Sequence, residues 1–245
     1  MDTQTRHALK QDSFVQATAS SINWVDAHRA ALIKTSIVVV AVIAIVLAGV
    51  LAYNTRSARA ENLFGQAMDI YNTPLTQPGQ PAQPGLKTYA SAADRAKDAH
   101  PLFEQVANNY GWFKAGANAR YLAGMTAIDM GQTPAGENDL KQAADSHDRN
   151  VAALAKLALA GLYHQTGRDP QAIELYQQLI AKPTLTVPAS MAKLQLAALY
   201  ETTKPAEAKR LYAEIKDQDK TTAAGQIAAQ KLQGATPQPQ PQLQP

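Results

Sequence analysis

The stretch Leu157–Gly167, LALAGLYHQTG, decides the fold, together with Ala172, Ile173, Tyr176 and Ile180 just beyond it. Small and large apolar residues at helical spacing, a glycine stop and a second apolar set predict two closely packed antiparallel helices. The same pattern recurs along the chain. A shift of 36 residues upstream takes Leu159 to Ala123, Ala160 to Gly124, Gly167 to Gly131, Ala172 to Gly136 and Tyr176 to Leu140. Downstream, a shift of 37 takes Leu159, Ala160 and Tyr163 to Leu196, Ala197 and Tyr200, and a shift of 36 gives Ala208 and Tyr212. The one-residue difference falls in the turn, where Lys204 and Pro205 replace Gly167 to Pro170. A weaker copy comes first, with Phe64, Gly65 and Met68 in one helix and Ala99, Phe103 and Val106 in the next.

One helical hairpin cannot bury its apolar face alone, whereas stacked hairpins share a continuous core. The expected fold is therefore all-α, with hairpins at about 57–110, 112–147, 150–182 and 187–217. A closing helix over about 220–233 turns Ile227, Ala228 and Leu232 inward. Pro101 makes its helix begin near Asp98 or kink there.

Upstream, Ile37 to Ala52 reads IVVVAVIAIVLAGVLA, and no formal charge lies between Lys34 and Arg56. Eleven of these sixteen residues are Ile, Val or Leu, which together favour insertion by about 4 kcal/mol. A transmembrane helix over 35–55 follows. Against a cleaved signal peptide, the preceding 34 residues contain Trp24 and acidic groups, and the apolar core is long. Arg29 and Lys34 on one side balance Arg56 and Arg59 on the other, so charge leaves the orientation open. Ala44, Ala48 and Ala52 share one face, either for close helix approach or as ordinary membrane alanines. Residues 1–34 read as a mixed polar tail with a short amphipathic piece around Phe14, Val15, Ile22, Trp24 and Val25.

Composition narrows the function. No cysteine is present, which excludes disulfides, thiolate zinc sites, iron–sulfur clusters and a cysteine nucleophile. A net charge of +3 with interspersed signs forms no nucleic-acid stripe. Ser146, His147 and Asp148 adjoin in a turn, whereas a triad is assembled from separate segments. His100, His147 and His164 lack metal-ligand spacing, and no phosphate loop occurs. The reading is noncatalytic, without cofactor or metal. Asn72 to Leu86, rich in proline and glycine, reads as a surface loop within the 56–233 repeat region. The Gln/Pro-rich tail over 234–245 reads as polyproline-like. Each is a solvated spacer or a docking ligand.

Leu159, Ala160, Tyr163, Gly167, Ala172, Tyr176 and Pro183 resemble tetratricopeptide repeats, with periods of 36 and 37 and Gly136 where alanine is usual. With its single span, the chain resembles the bacterial inner-membrane family of ancillary SecYEG translocon subunits. The resemblance implies a cytoplasmic amino terminus, a periplasmic repeat domain, and translocon subunits, chaperones or exported polypeptides as partners. It also implies a concave groove lined by the first helix of each pair. Matching register puts Tyr121, Met125, Ile128 and Asp129 there, then Leu157, Gly161, His164 and Gln165, then Leu194, Ala198, Glu201 and Thr202. Leu157 and Leu194 instead pack between hairpins in the competing reading. The expected function is a membrane-anchored protein-interaction adaptor at the Sec translocon; the alternative is a structural scaffold for envelope or division machinery.

Overall fold

The computed structural model describes the backbone of residues 3–76 and 87–234, and side chains from His28 onward. The described residues contain helices and one isolated β-bridge, Leu75 to Tyr89. The chain divides into two compact units, Met1–Arg56 and Ser57–Pro245.

In the first unit, helix α1 (Thr3–Tyr71) begins almost at the amino terminus. The tail therefore holds more than a short amphipathic piece: it is helical throughout from Thr3. No glycine or proline precedes Gly49, so neither of the two strongest helix breakers interrupts it there. Within α1 lies a helix long and apolar enough to cross a membrane. Every side chain from Ile37 to Ala52 is exposed. At its margins the Thr35 hydroxyl donates to the Ala31 carbonyl at 2.9 Å, and that of Thr55 to the Ala52 carbonyl at 3.0 Å. Both hydroxyls are thus satisfied within the helix, as hydrocarbon requires.

The second unit holds the end of α1 from Ser57, then α2 (Ala92–Asn109), α3 (Lys114–Asp129), α4 (Thr133–Ala144) and α5 (Arg149–Gln165). These are followed by α6 (Asp169–Ala181), α7 (Ala189–Thr203), α8 (Pro205–Gln218) and α9 (Ala223–Gly234). From α2 onward each helix packs on the next, and α3 also touches α5 as α7 touches α9. The last turns of α1 pack on α2, where the Phe64 and Tyr71 rings lie 5.8 and 5.9 Å from that of Phe103.

Helix α2 begins at Ala92, earlier than the Asp98 start considered from Pro101, and runs through that proline. Ser91 explains the earlier start, because its Oγ accepts from the Asp94 amide at 3.0 Å and caps the helix. The ends of the preceding loop are tied together: the Thr76 amide donates to the Tyr89 carbonyl, and the Tyr89 amide to that of Pro74. The middle of that loop, and the Pro/Gln tail from Ala235, lie outside the described residues.

Small residues set the crossings within pairs. A Cβ on Gly136 would stand 2.7 Å from the Gly124 carbonyl oxygen, and one on Gly124 would stand 2.8 Å from Leu140 Cγ. At the corresponding positions Ala160 and Ala172, then Ala197 and Ala208, are buried. Gly131 and Gly167 adopt φ of 77° and 73° in the α3–α4 and α5–α6 turns, the left-handed conformation that ends a helix at least cost in glycine. After each, an amide reaches back to close the helix, Gln132 to the Ala127 carbonyl and Arg168 to that of Tyr163. The α7–α8 turn is shortened to Lys204 and needs no such glycine.

Two main apolar clusters result. One joins the end of α1, α2 and α3 around Phe103, Val106, Ala119 and Ala123. The other runs from α4 to α9 through Leu140, Leu159, Tyr176, Leu196, Tyr212 and Ile215.

Candidate protein-binding surface

The residues assigned to a groove, among them Tyr121, Met125, Ile128, Leu157, His164, Leu194 and Glu201, lie on α3, α5 and α7, the first helices of successive pairs. On α3, Tyr121, Met125 and Ile128 are half-buried and rest against the larger core cluster. Leu157 on α5 and Leu194 on α7 do the same. All five combine a packed side with an exposed remainder, so each has core contacts as well as accessible surface. Because α3 touches α5 directly, Tyr121, Met125, Ile128 and Leu157 occupy adjoining helices. Between α5 and α7 stands α6, which packs on both.

Two polar members are engaged locally. His164 is exposed, and its Nδ1–H donates to Asp169 Oδ1 at 2.7 Å across the α5–α6 turn. Glu201 accepts from the Tyr212 hydroxyl at 2.7 Å and pairs with Lys231 at 2.9 Å. These bonds hold its carboxyl below the usual range, the tyrosine first and the lysine second. Glu201 also borders a hollow of about 580 Å³ at the carboxy-terminal end, with Pro205, Lys209, Ile227 and Lys231. The structure thus places Glu201 with α8 and α9, and the Tyr121 strip with α3 and α5.

Beside that strip lies a cluster that the sequence did not reveal. The Arg95 guanidinium sits 5.0 Å over the Tyr71 ring and donates to the Thr73 carbonyl at 3.1 Å. Burial raises the pKa values of Tyr71, Tyr121 and Asp129; the Asp129 charge adds to the rise at Tyr71, while Arg95 opposes that at Asp129. Tyr71 and Arg95 flank the proline-rich insertion, which breaks the repeat period, so no register pointed to them.

Several other polar groups tie the scaffold together. His100 donates from Nδ1 toward the Ala123 carbonyl at 3.2 Å, joining α2 to α3. Arg120 meets Asp139 at 3.0 Å between α3 and α4. In the α4–α5 turn, Ser146 Oγ accepts from the Asp148 amide, Asp148 caps α5, and the His147 ring stacks on Trp112 at 5.8 Å. Each member of that trio has a turn, cap or stacking contact. Among the described residues, no group of three or more His, Asp or Glu side chains is placed to hold a metal ion. No protein-family model, curated protein or solved structure matches the chain.

Proposed function

We propose that the chain is a single-pass membrane protein whose second unit is a tetratricopeptide-like array acting as a noncatalytic adaptor. In this reading the amino terminus is cytoplasmic and the helical pairs are periplasmic, beside the Sec translocon. There they receive apolar segments of exported polypeptides or hold chaperones. The observation that supports a binding role is the half-buried apolar strip of Tyr121, Met125 and Ile128 adjoining Leu157. Such a strip suits an extended or helical apolar segment, because it offers desolvation without a cluster of cations to clamp a carboxylate. Support for the membrane role comes from the apolar stretch of α1.

A paired experiment tests it. Tyr121→Glu with Met125→Glu sets charges where an apolar ligand must be desolvated, costing about 2 to 5 kcal/mol of binding. Photocrosslinking from the same strip in intact cells reads the partners, and circular dichroism reads the fold. Retained helicity with lost crosslinks to translocon subunits, chaperones or exported chains is the expected result. Loss of helicity assigns these positions to the core. Crosslinks to envelope or division proteins instead favour a scaffold, and crosslinks to cytoplasmic proteins reverse the orientation.

A further inference from the structure

We propose that the edge of the second unit formed by its inter-pair turns docks on the bilayer holding the span, seating an anionic phospholipid headgroup among Arg149, Lys156 and Lys182. Leu185 then enters the outer acyl layer. This inference rests on the membrane reading of α1 and is independent of the translocon.

A hollow of about 320 Å³ opens between the start of α5 and the end of α6. Arg149, Lys156 and Lys182 line it with Ala153, Leu179 and Thr184, and no carboxylate is among its lining residues. Among the described residues these three cations enter none of the ion pairs, which engage other lysines and arginines. The nearest acid in sequence, Asp148, is turned to the amides of Asn150 and Val151. Three uncompensated cations around one hollow suit a phosphate diester, and each basic group near an anionic membrane surface contributes about a fivefold preference.

The rim specifies lipid over a free anion. Thr184 and Leu185 continue the wall of the hollow into a second depression shared with Arg149. The turn is fastened: Val187 is fully buried, its amide donates to Thr184 Oγ1 at 3.1 Å, and the Thr186 hydroxyl donates to the Asn150 carbonyl at 2.9 Å. Yet it holds Leu185 at 93% exposure. On the same edge Trp112 is 91% exposed, with its ring on His147 only two residues before Arg149. An indole, an aliphatic side chain and basic groups on inter-pair turns of one edge are the residue set of a membrane interface.

Connectivity fixes where the chain enters the second unit, at Ser57. Tyr71 lies against Arg95 near the start of α2, so the antiparallel Ser57 end of α1 lies at the far end of α2, beside the turn carrying Trp112. Only Arg56 separates Ser57 from Thr55, and two residue steps reach about 7 Å at most. The tether to the span therefore leaves the unit from the edge that carries the exposed tryptophan, leucine and cationic hollow.

The test uses the full chain carrying Trp24→Phe, which leaves Trp112 as its one tryptophan. The protein is placed in nanodiscs of phosphatidylcholine alone or with about 30% phosphatidylglycerol. Emission of Trp112 and its quenching by spin-labelled lipid report docking. A blue shift with quenching is expected in the anionic discs and little of either in the neutral ones. Combined Arg149→Gln, Lys156→Gln and Lys182→Gln should lower the docked-to-free ratio by about fivefold per cation, about 100-fold together. Arg149→Lys should retain docking. Leu185→Glu should reduce quenching at unchanged helicity. If the triple variant loses helicity, Lys182→Gln alone, on an exposed side chain, decides the point by the same readout. Equal quenching in the two discs, or quenching unchanged by neutralising the cations, overturns the proposal. A Trp112 shift produced by millimolar glycerol phosphate in neutral discs assigns the hollow to a free anion and overturns the lipid. Release of the chain from discs by alkaline wash overturns the membrane reading itself; retention with unquenched Trp112 overturns the docking alone.

Discussion

The apolar stretch of α1 and the helical pairs of the second unit use the same residues in opposite ways. From Ile37 to Ala52, valine, isoleucine, leucine and alanine face outward all round the helix. In the pairs, alanines such as Ala99, Ala119, Ala123, Ala160 and Ala197 are fully buried, with charged groups between them along the chain. What separates the two regions is polar content and its spacing: no polar side chain lies between Ile37 and Ala52, whereas charged groups recur along the pairs. Where charges recur every few residues, a helix has one face to bury and must find another helix. Where they are absent for twenty residues, lipid can cover the whole circumference.

The largest effect that would break this contrast is a charge in the span. Val46→Arg should cost about 3 kcal/mol of insertion, most of what the apolar run supplies, and retention after alkaline extraction should fall sharply. Unchanged retention would mean that the run is not held by lipid. An intermediate effect distinguishes the glycines of the two regions. Gly136→Ala forces a Cβ to within 2.7 Å of a backbone oxygen on the facing helix, and overpacking of this kind costs about 1 to 3 kcal/mol. Gly49→Ala, with nothing within 4 Å, should leave melting and membrane retention unchanged. A matched loss at both sites would show that Gly49 also faces a partner.

The smallest effect is electrostatic. Hydrogen bonds from Arg168 and then Lys141 lower the Glu137 carboxyl from 4.5 to about 2. Since the folded pKa is the lower one, this stabilisation is complete above about pH 5 and is lost as pH falls toward 2. Solvent screening reduces its size to about 1 kcal/mol. Urea midpoints for wild type and Glu137→Gln should converge near pH 2 and diverge at neutral pH. Span retention should not follow, because no carboxylate lies between Lys34 and Arg56.

Helix positions were legible because periodicity is local. The small residues at 124, 136, 160 and 172, and the glycines at 131 and 167, mark crossings and turns that the backbone itself requires. Less was legible where distant contacts or capping decide. Pro101 suggests a start near Asp98 or a kink; α2 instead starts at Ala92 under the Ser91 cap and runs through the proline, with Ala96 and Ala99 before it and Phe103 and Val106 after it buried in the core. The contact of Tyr71 with Arg95 spans an insertion that carries no period. The strip residues Tyr121, Met125 and Leu157 were visible as apolar positions, but a groove and a core demand the same chemistry. Their half-burial on the core cluster gives them both kinds of surface.

Helix α3 carries a consequence for how the second unit opens. One side, with Ala115, Ala119 and Ala123, belongs to the amino-terminal cluster, while Tyr121, Met125 and Ile128 rest on the carboxy-terminal one. A segment shared by two cores cannot unfold with either alone. Fraying of α9 can proceed as a local fluctuation, but exposure of the α3 amides requires both clusters to come apart, which makes α3 the element that joins them into one cooperative unit.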